Sequence, residues 1–124
     1  QAADLAISAI KASHLILIPV QPSPYDIWAT SDLVDLVKQR IEMTDGRLKA
    51  AFVVSRAIKN TKVGAEIREA LEGYGLPVLT ARVTQSVAYP STAAIGTTVL
   101  DAEGNSNAAQ EIRALAHEVL DLLK

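Results

Sequence analysis

The sequence predicts an α/β fold with about three parallel strands flanked by helices, in the manner of half of a larger α/β domain. Short apolar runs alternate with helical patterns in the order α-β-α-β-α-β-α, which is the signature of parallel pairing with right-handed crossovers. The run Leu15-Ile16-Leu17-Ile18 is continuously apolar, as expected of a strand buried on both faces. The 124 residues, 49% apolar and 21% charged, are one globular domain's worth of chain, residues 1–124.

Each element has its own warrant. Ala2 to Ala12 reads as a helix whose apolar residues Leu5, Ile7, Ala9 and Ile10 crowd its surface, the pattern of a buried element. Leu15 to Ile18 is the first strand, closed by Pro19. Gln21 to Asp26 is a stiff loop, because Pro22 and Pro24 fix φ and supply no N–H. A helix over about Ile27 to Met43 follows, with Asp26, Thr30 or Ser31 as its cap and Leu33, Val34, Val37 and Ile41 as its apolar stripe. Leu48 to Val54 is the second strand, and Ser55 to Thr61 a polar loop. Lys62 to Tyr74 is a helix, with Gly75 suited to the left-handed position that ends it. Pro77 to Arg82 reads as the third strand, short and near an edge. Val83 to Ala102 is irregular apart from a short helix over Ser91 to Ile95. Ala108 to Leu123 is the last helix, with Ile112, Leu115, Ala116, Val119, Leu122 and Leu123 inward.

Several chemistries are excluded. There is no cysteine, hence no disulfide, thiolate or cysteine-ligated zinc. His14 and His117 are far apart and make a poor start for a metal site, so none is expected. No serine has a histidine placed to activate it, and no catalytic residue is assigned. The six glycines never form a phosphate-binding loop, and Gly73 and Gly75 read as a helix end. Glu66, Glu69 and Glu72 read as a solvated helical stripe. No apolar run is long enough to span a membrane, and no leader pattern is visible, so the expected location is cytoplasmic. The chain opens at Gln1 directly into a helical pattern, as a piece of a longer protein would.

Charge is unevenly spread. The net charge is −2, yet Gly46 to Ala65 holds Arg47, Lys49, Arg56, Lys59 and Lys62 and no acid. Asp101 to Lys124 holds five acids and two bases. The basic stretch surrounds the loop after the second strand, and parallel sheets bind ligands at the C-terminal ends of their strands. Basic side chains there suit a nucleotide or a nucleic-acid backbone, against the plainer reading of an exposed loop kept soluble by lysine.

Three segments together resemble the ParA/MinD superfamily of deviant-Walker ATPases, and within it the ParA proteins of plasmid and chromosome partition. The first is Ala3-Asp4-Leu5-Ala6 through Ser13-His14 and Leu15-Ile16-Leu17-Ile18-Pro19-Val20-Gln21-Pro22-Ser23-Pro24-Tyr25-Asp26. The second is Phe52-Val53-Val54-Ser55-Arg56. The third is Val83-Thr84-Gln85 with Tyr89, Ala93, Gly96 and Val99, then Ala108-Ala109, Glu111, Leu115 and Glu118. The likeness spans nearly the whole chain.

The resemblance implies the C-terminal half of a P-loop NTPase-like, Rossmann-like sheet. The family's phosphate loop and Walker B aspartate would precede Gln1. By resemblance, Ser55, Arg56, Val83, Thr84 and Gln85 flank the adenine of ATP or ADP, with magnesium bound in the intact family member. Nucleotide is not expected to bind tightly to this chain alone, nor is the chain expected to hydrolyse it. Pro19, Gln21, Pro22, Pro24, Tyr25 and Asp26 resemble a segment near the nucleotide-dependent dimer interface. Arg56, Lys59, Lys62, Arg68 and Arg82 are the candidates for nonspecific DNA contact. The implied partners are a second copy or a swapped oligomer, which would cover the open sheet edge, and a ParB-type centromere-binding protein, with nucleoid association through DNA. A MinD-like positioning protein is the alternative, though its basic membrane helix is unlike this acidic tail, where Arg113 and Lys124 stand against Glu111, Glu118 and Asp121. A nonenzymatic interaction module on the same fold is the other.

Overall fold

A computed structural model of the chain describes residues 2–57 and 63–124. The elements are α1 (Ala2–Ala12), β1 (Leu15–Val20), α2 (Pro24–Ala29), α3 (Ser31–Met43), β2 (Lys49–Ala57), α4 (Val63–Glu72), β3 (Val83–Thr84), α5 (Ala88–Ala94), α6 (Val99–Ala102) and α7 (Asn107–Leu123). The strands form one sheet in the order β1-β2-β3, with both pairings parallel. The fold is therefore α/β, a three-stranded parallel sheet flanked by helices.

β2 is the centre. Leu15 to Val20 pair with Lys49 to Val54 in unbroken register. On one face of β2, Ala50, Phe52, Val54 and Ala57 join Ile18, Val20, Ile27, Val34, Val37, Ile67 and Leu71 in the main core. On the other face Ala51 and Val53 pack with Leu79, Leu17, Leu115 and Leu122 under α7. Strand alternation sends successive side chains to opposite faces, so a strand covered on both sides needs apolar groups at every position. A smaller cluster, Val99, Ala108 and Ala109 with Tyr89 and Ile112, joins α5, α6 and α7.

The structure corrects several expectations. Pro19 does not close β1 but lies within it, opposite Val53. A proline is tolerated there because the outer edge of β1 pairs with no other strand among the described residues. The helix expected from Ile27 to Met43 is two, α2 and α3, parted at Thr30. The buried Thr30 hydroxyl donates to the Ile27 carbonyl at 2.6 Å instead of capping α3. Asp26 does not cap either helix; its carboxylate accepts the Gln21 N–H at 2.6 Å and ties the proline loop into a turn.

β2 runs three residues beyond Val54, so Ser55 and Arg56 belong to a strand. The rest of the expected loop, and the expected helix start at Lys62, lie outside the described residues. The third strand is not Pro77 to Arg82. That segment meets β2 only around Phe52, whose N–H donates to Pro77 and whose carbonyl accepts from Leu79, each at 2.9 Å. The Glu118 carboxylate takes the N–H groups of Thr80 and Ala81, so these donors leave the ladder, and pairing resumes only at Val83–Thr84. The irregular stretch holds α5 and α6, and the last helix starts at Asn107 behind Ser106, whose hydroxyl accepts the Ala109 N–H at 3.2 Å.

α1 and α7 are less enclosed than their apolar content suggests. Only Ile10 of α1 is buried among the residues placed, and Leu5 is 74% exposed. Ala116 and Leu123 of α7 face solvent, whereas Ile112, Leu115, Val119 and Leu122 turn partly inward. Both histidines are exposed.

Phe52 is fully buried in the middle of β2. Phe52→Ala should lower stability by about 3–5 kcal/mol, through lost transfer energy and the cavity left behind. Urea denaturation followed by circular dichroism measures it, with a midpoint unchanged from the parent as the contrary result.

Candidate functional site

The site grows from the end of β2. Ser55 pairs with Val83 and Ala57 with Thr84, so Arg56 is an extra residue bulged between two pairs. Its φ is 52°, left-handed backbone that costs a non-glycine residue about 1–2 kcal/mol. Such outliers persist where surrounding structure over-determines them, and they concentrate at binding sites. Beyond the bulge, the Gln85 N–H donates to the Ala57 carbonyl at 3.0 Å and carries the pairing one residue past β3.

The result is a cleft of about 640 Å³ at the C-terminal end of the sheet. All five residues expected beside the base line it: Ser55 and Arg56 from β2, Val83 and Thr84 from β3, and Gln85 just after. Val87, Tyr89 and Pro90, at the start of α5, complete its apolar side. Ligand clefts of this kind have mostly apolar walls and a few polar groups that set orientation, and ligands in open α/β sheets bind at this end.

Behind the cleft stands α7. One Glu111 carboxylate oxygen accepts the Thr84 N–H and the Tyr89 O–H, each at 3.1 Å. Its other oxygen accepts the Thr84 hydroxyl at 2.6 Å. The Tyr89 oxygen also lies 3.3 Å from the Ala108 carbonyl. Burial, then the hydrogen bond to Glu111 and its negative charge, push the Tyr89 phenol up to about 12 from its ordinary value near 10.

Glu111 and Glu118 are residues whose bonds the sequence reading missed. A signal existed. Glu111, Leu115, Glu118 and Leu122 recur at helical spacing along one face of the last helix. Carboxylates on an otherwise inward stripe announce buried donors to satisfy.

The remaining candidates are dispersed. The proline loop follows β1 at the same end of the sheet, but none of its residues lines the cleft. Within and just after it, Tyr25 and Trp28 are exposed and packed edge to face, ring centroids 5.6 Å apart. Arg68 is committed internally: it donates to the carbonyls of Val78 at 3.0 Å and Leu79 at 3.2 Å, and pairs with Glu72 at 3.2 Å. Arg82 is exposed and lines a separate depression against α7 with Asn107 and Gln110. Lys59 and Lys62 lie outside the described residues. Among the described residues no cluster of His, Asp or Glu could hold a metal ion, and no helix is long and apolar enough to cross a membrane.

Fold and site define an α/β protein with a parallel sheet and a cleft at the C-terminal ends of its central strands. The chain is 35% identical over 121 residues to the Maintenance of carboxysome distribution protein A of Halothiobacillus neapolitanus (strain ATCC 23641 / c2). The match covers 94% of this chain and 55% of that protein, so the chain spans about half the length of the curated relative it matches. That protein's printed name concerns carboxysome distribution, and the similarity does not single out plasmid or chromosome partition. No protein-family profile matches the chain.

Alkaline titration of tyrosine absorbance should show a step near pH 12 that Tyr89→Phe removes. Glu111→Gln should lower that step, since the charge that opposes phenolate formation is gone, while burial, the largest cause, keeps it above the ordinary tyrosine value. Because the folded pKa is the higher, the stabilisation from this phenol is fully present below about pH 10 and is lost as the pH rises through about 12. A step that stays in place in Glu111→Gln would break the assignment.

Proposed function

We propose that this chain is the nucleotide-base side of a ParA-like positioning ATPase. The observation that carries the reading is the cleft at the end of β2 and β3. Residues singled out from two separate stretches of sequence, Ser55-Arg56 and Val83-Thr84-Gln85 with Tyr89, converge on it. The intact protein would bind ATP with magnesium. The phosphate side, with its backbone N–H groups and lysine, would come from residues outside this chain, and this chain alone would bind nucleotide weakly if at all.

The relative's printed name concerns carboxysome distribution, and the same kind of cargo is the first reading here. Partition of a plasmid or chromosome with a ParB-type partner is the second, favoured by the Pro19–Asp26 segment that carried the resemblance. In both readings a nucleotide-dependent homodimer holds nonspecific DNA; of the described candidates for that contact, Arg68 is paired with Glu72, whereas Arg56 and Arg82 form no ion pair among the described residues.

Calorimetric titration of magnesium ATP into the intact protein tests the reading. Arg56→Ala should weaken ATP binding or ATP-dependent dimerisation by about tenfold, equivalent to one charged contact of about 1.4 kcal/mol. No change in either would remove Arg56 from the site. Arg82→Glu should lower ATP-dependent DNA affinity and reduce the log–log salt slope by about one. An unaltered slope would place the DNA surface elsewhere.

A further inference from the structure

We propose that Glu111 is the positioning residue of the base-binding wall, an inference that rests on reading the cleft as the base side of a nucleotide site. Glu111 is not among the residues that line the cleft. It acts through two that do, Thr84 and Tyr89.

The wall has little else to hold it. β3 is two residues long, and its pairing with β2 is interrupted by the bulge at Arg56. The preceding segment, Thr80–Arg82, is outside the ladder. A segment so thinly paired needs its position set from elsewhere. Glu111 supplies that from the second turn of α7, a helix anchored by the buried Ala108 and Ala109. Its carboxylate meets three donors at once: the Thr84 N–H, the Thr84 hydroxyl and the Tyr89 O–H.

The geometry explains why a carboxylate stands there. Only an acceptor-only group with two oxygens satisfies three converging donors without turning one away. Thr84 and Tyr89 belong to different elements, β3 and α5, so one side chain ties both into the wall. Glu118, one heptad further along α7, fixes the chain just upstream through Thr80 and Ala81. α7 thus carries the wall by two carboxylates on one stripe.

The experiment measures affinities of the intact protein for magnesium ATP and magnesium GTP, in the parent and in Glu111→Ala, Glu111→Gln and Gln85→Ala. Glu111→Ala should weaken ATP binding by about tenfold and narrow the preference for ATP over GTP, because three bonds that shape the wall are lost. Glu111→Gln should keep ATP affinity within about threefold, since its amide oxygen retains part of the acceptor set and its nitrogen can donate to the threonine hydroxyl. A merely structural role lowers the two affinities in equal proportion and leaves their ratio unchanged. That result, or unchanged affinities in Glu111→Ala, overturns the positioning role. If Gln85→Ala narrows the ratio while Glu111→Ala does not, the cleft reading stands and the positioning role falls. If the parent binds no magnesium ATP, or if neither substitution alters ATP affinity, the cleft reading falls and takes the positioning role with it.

Discussion

The structure depends on β2 being a strand with a neighbour on each edge and a packed layer on each face. A backbone so placed must satisfy its N–H and C=O groups through strands, because water does not reach them. Its side chains must be apolar at consecutive positions, and Ala50 through Val54 meet that demand. The helices α2, α3 and α4 are held by one face of this strand and α7 by the other. The cleft end of the sheet follows directly. When the strand finally leaves its enclosure, at Ser55, the first exposed residue is Arg56, and the ladder breaks there into a bulge.

The second constraint comes from the weakness of β3. Parallel pairing of two residues contributes little, and the chain before it is diverted. Side-chain carboxylates replace the missing ladder. Glu118 and Glu111 take backbone N–H groups of Thr80, Ala81 and Thr84 that no neighbouring strand accepts. Charge-assisted bonds to backbone donors are stronger than neutral ones, so two acidic residues can stand in for a short strand. The arrangement couples α7 to the cleft wall mechanically, which makes the last helix part of the site although it lies outside it.

Charge follows the same geometry. The basic stretch around β2 reaches the cleft at Arg56, while α7 is acidic and commits two of its acids to internal donors. Arg68 shows the converse case. It looked like a surface cation in the sequence, yet its guanidinium bridges two carbonyls of the Val78–Leu79 segment and Glu72. A planar fork with five donors suits that bridging task better than lysine would.

What the sequence determined by itself was the α/β class, the parallel order and the core of the strands. These depend on apolar runs and helical spacing, which are local and periodic. The stretches that line the cleft, Ser55-Arg56 and Val83-Thr84-Gln85, were named from the sequence through its resemblance to a known family, not through local periodicity. The tertiary structure alone decided where the third strand lies, because Pro77–Arg82 has a strand's composition but loses its donors to a glutamate some forty residues away. It alone decided that Pro19 stays in β1, whose outer edge pairs with no other strand among the described residues. It alone joined Glu111 to Thr84 and Tyr89. Such contacts are long-range and depend on how a helix lies against a sheet, and no local pattern encodes that placement.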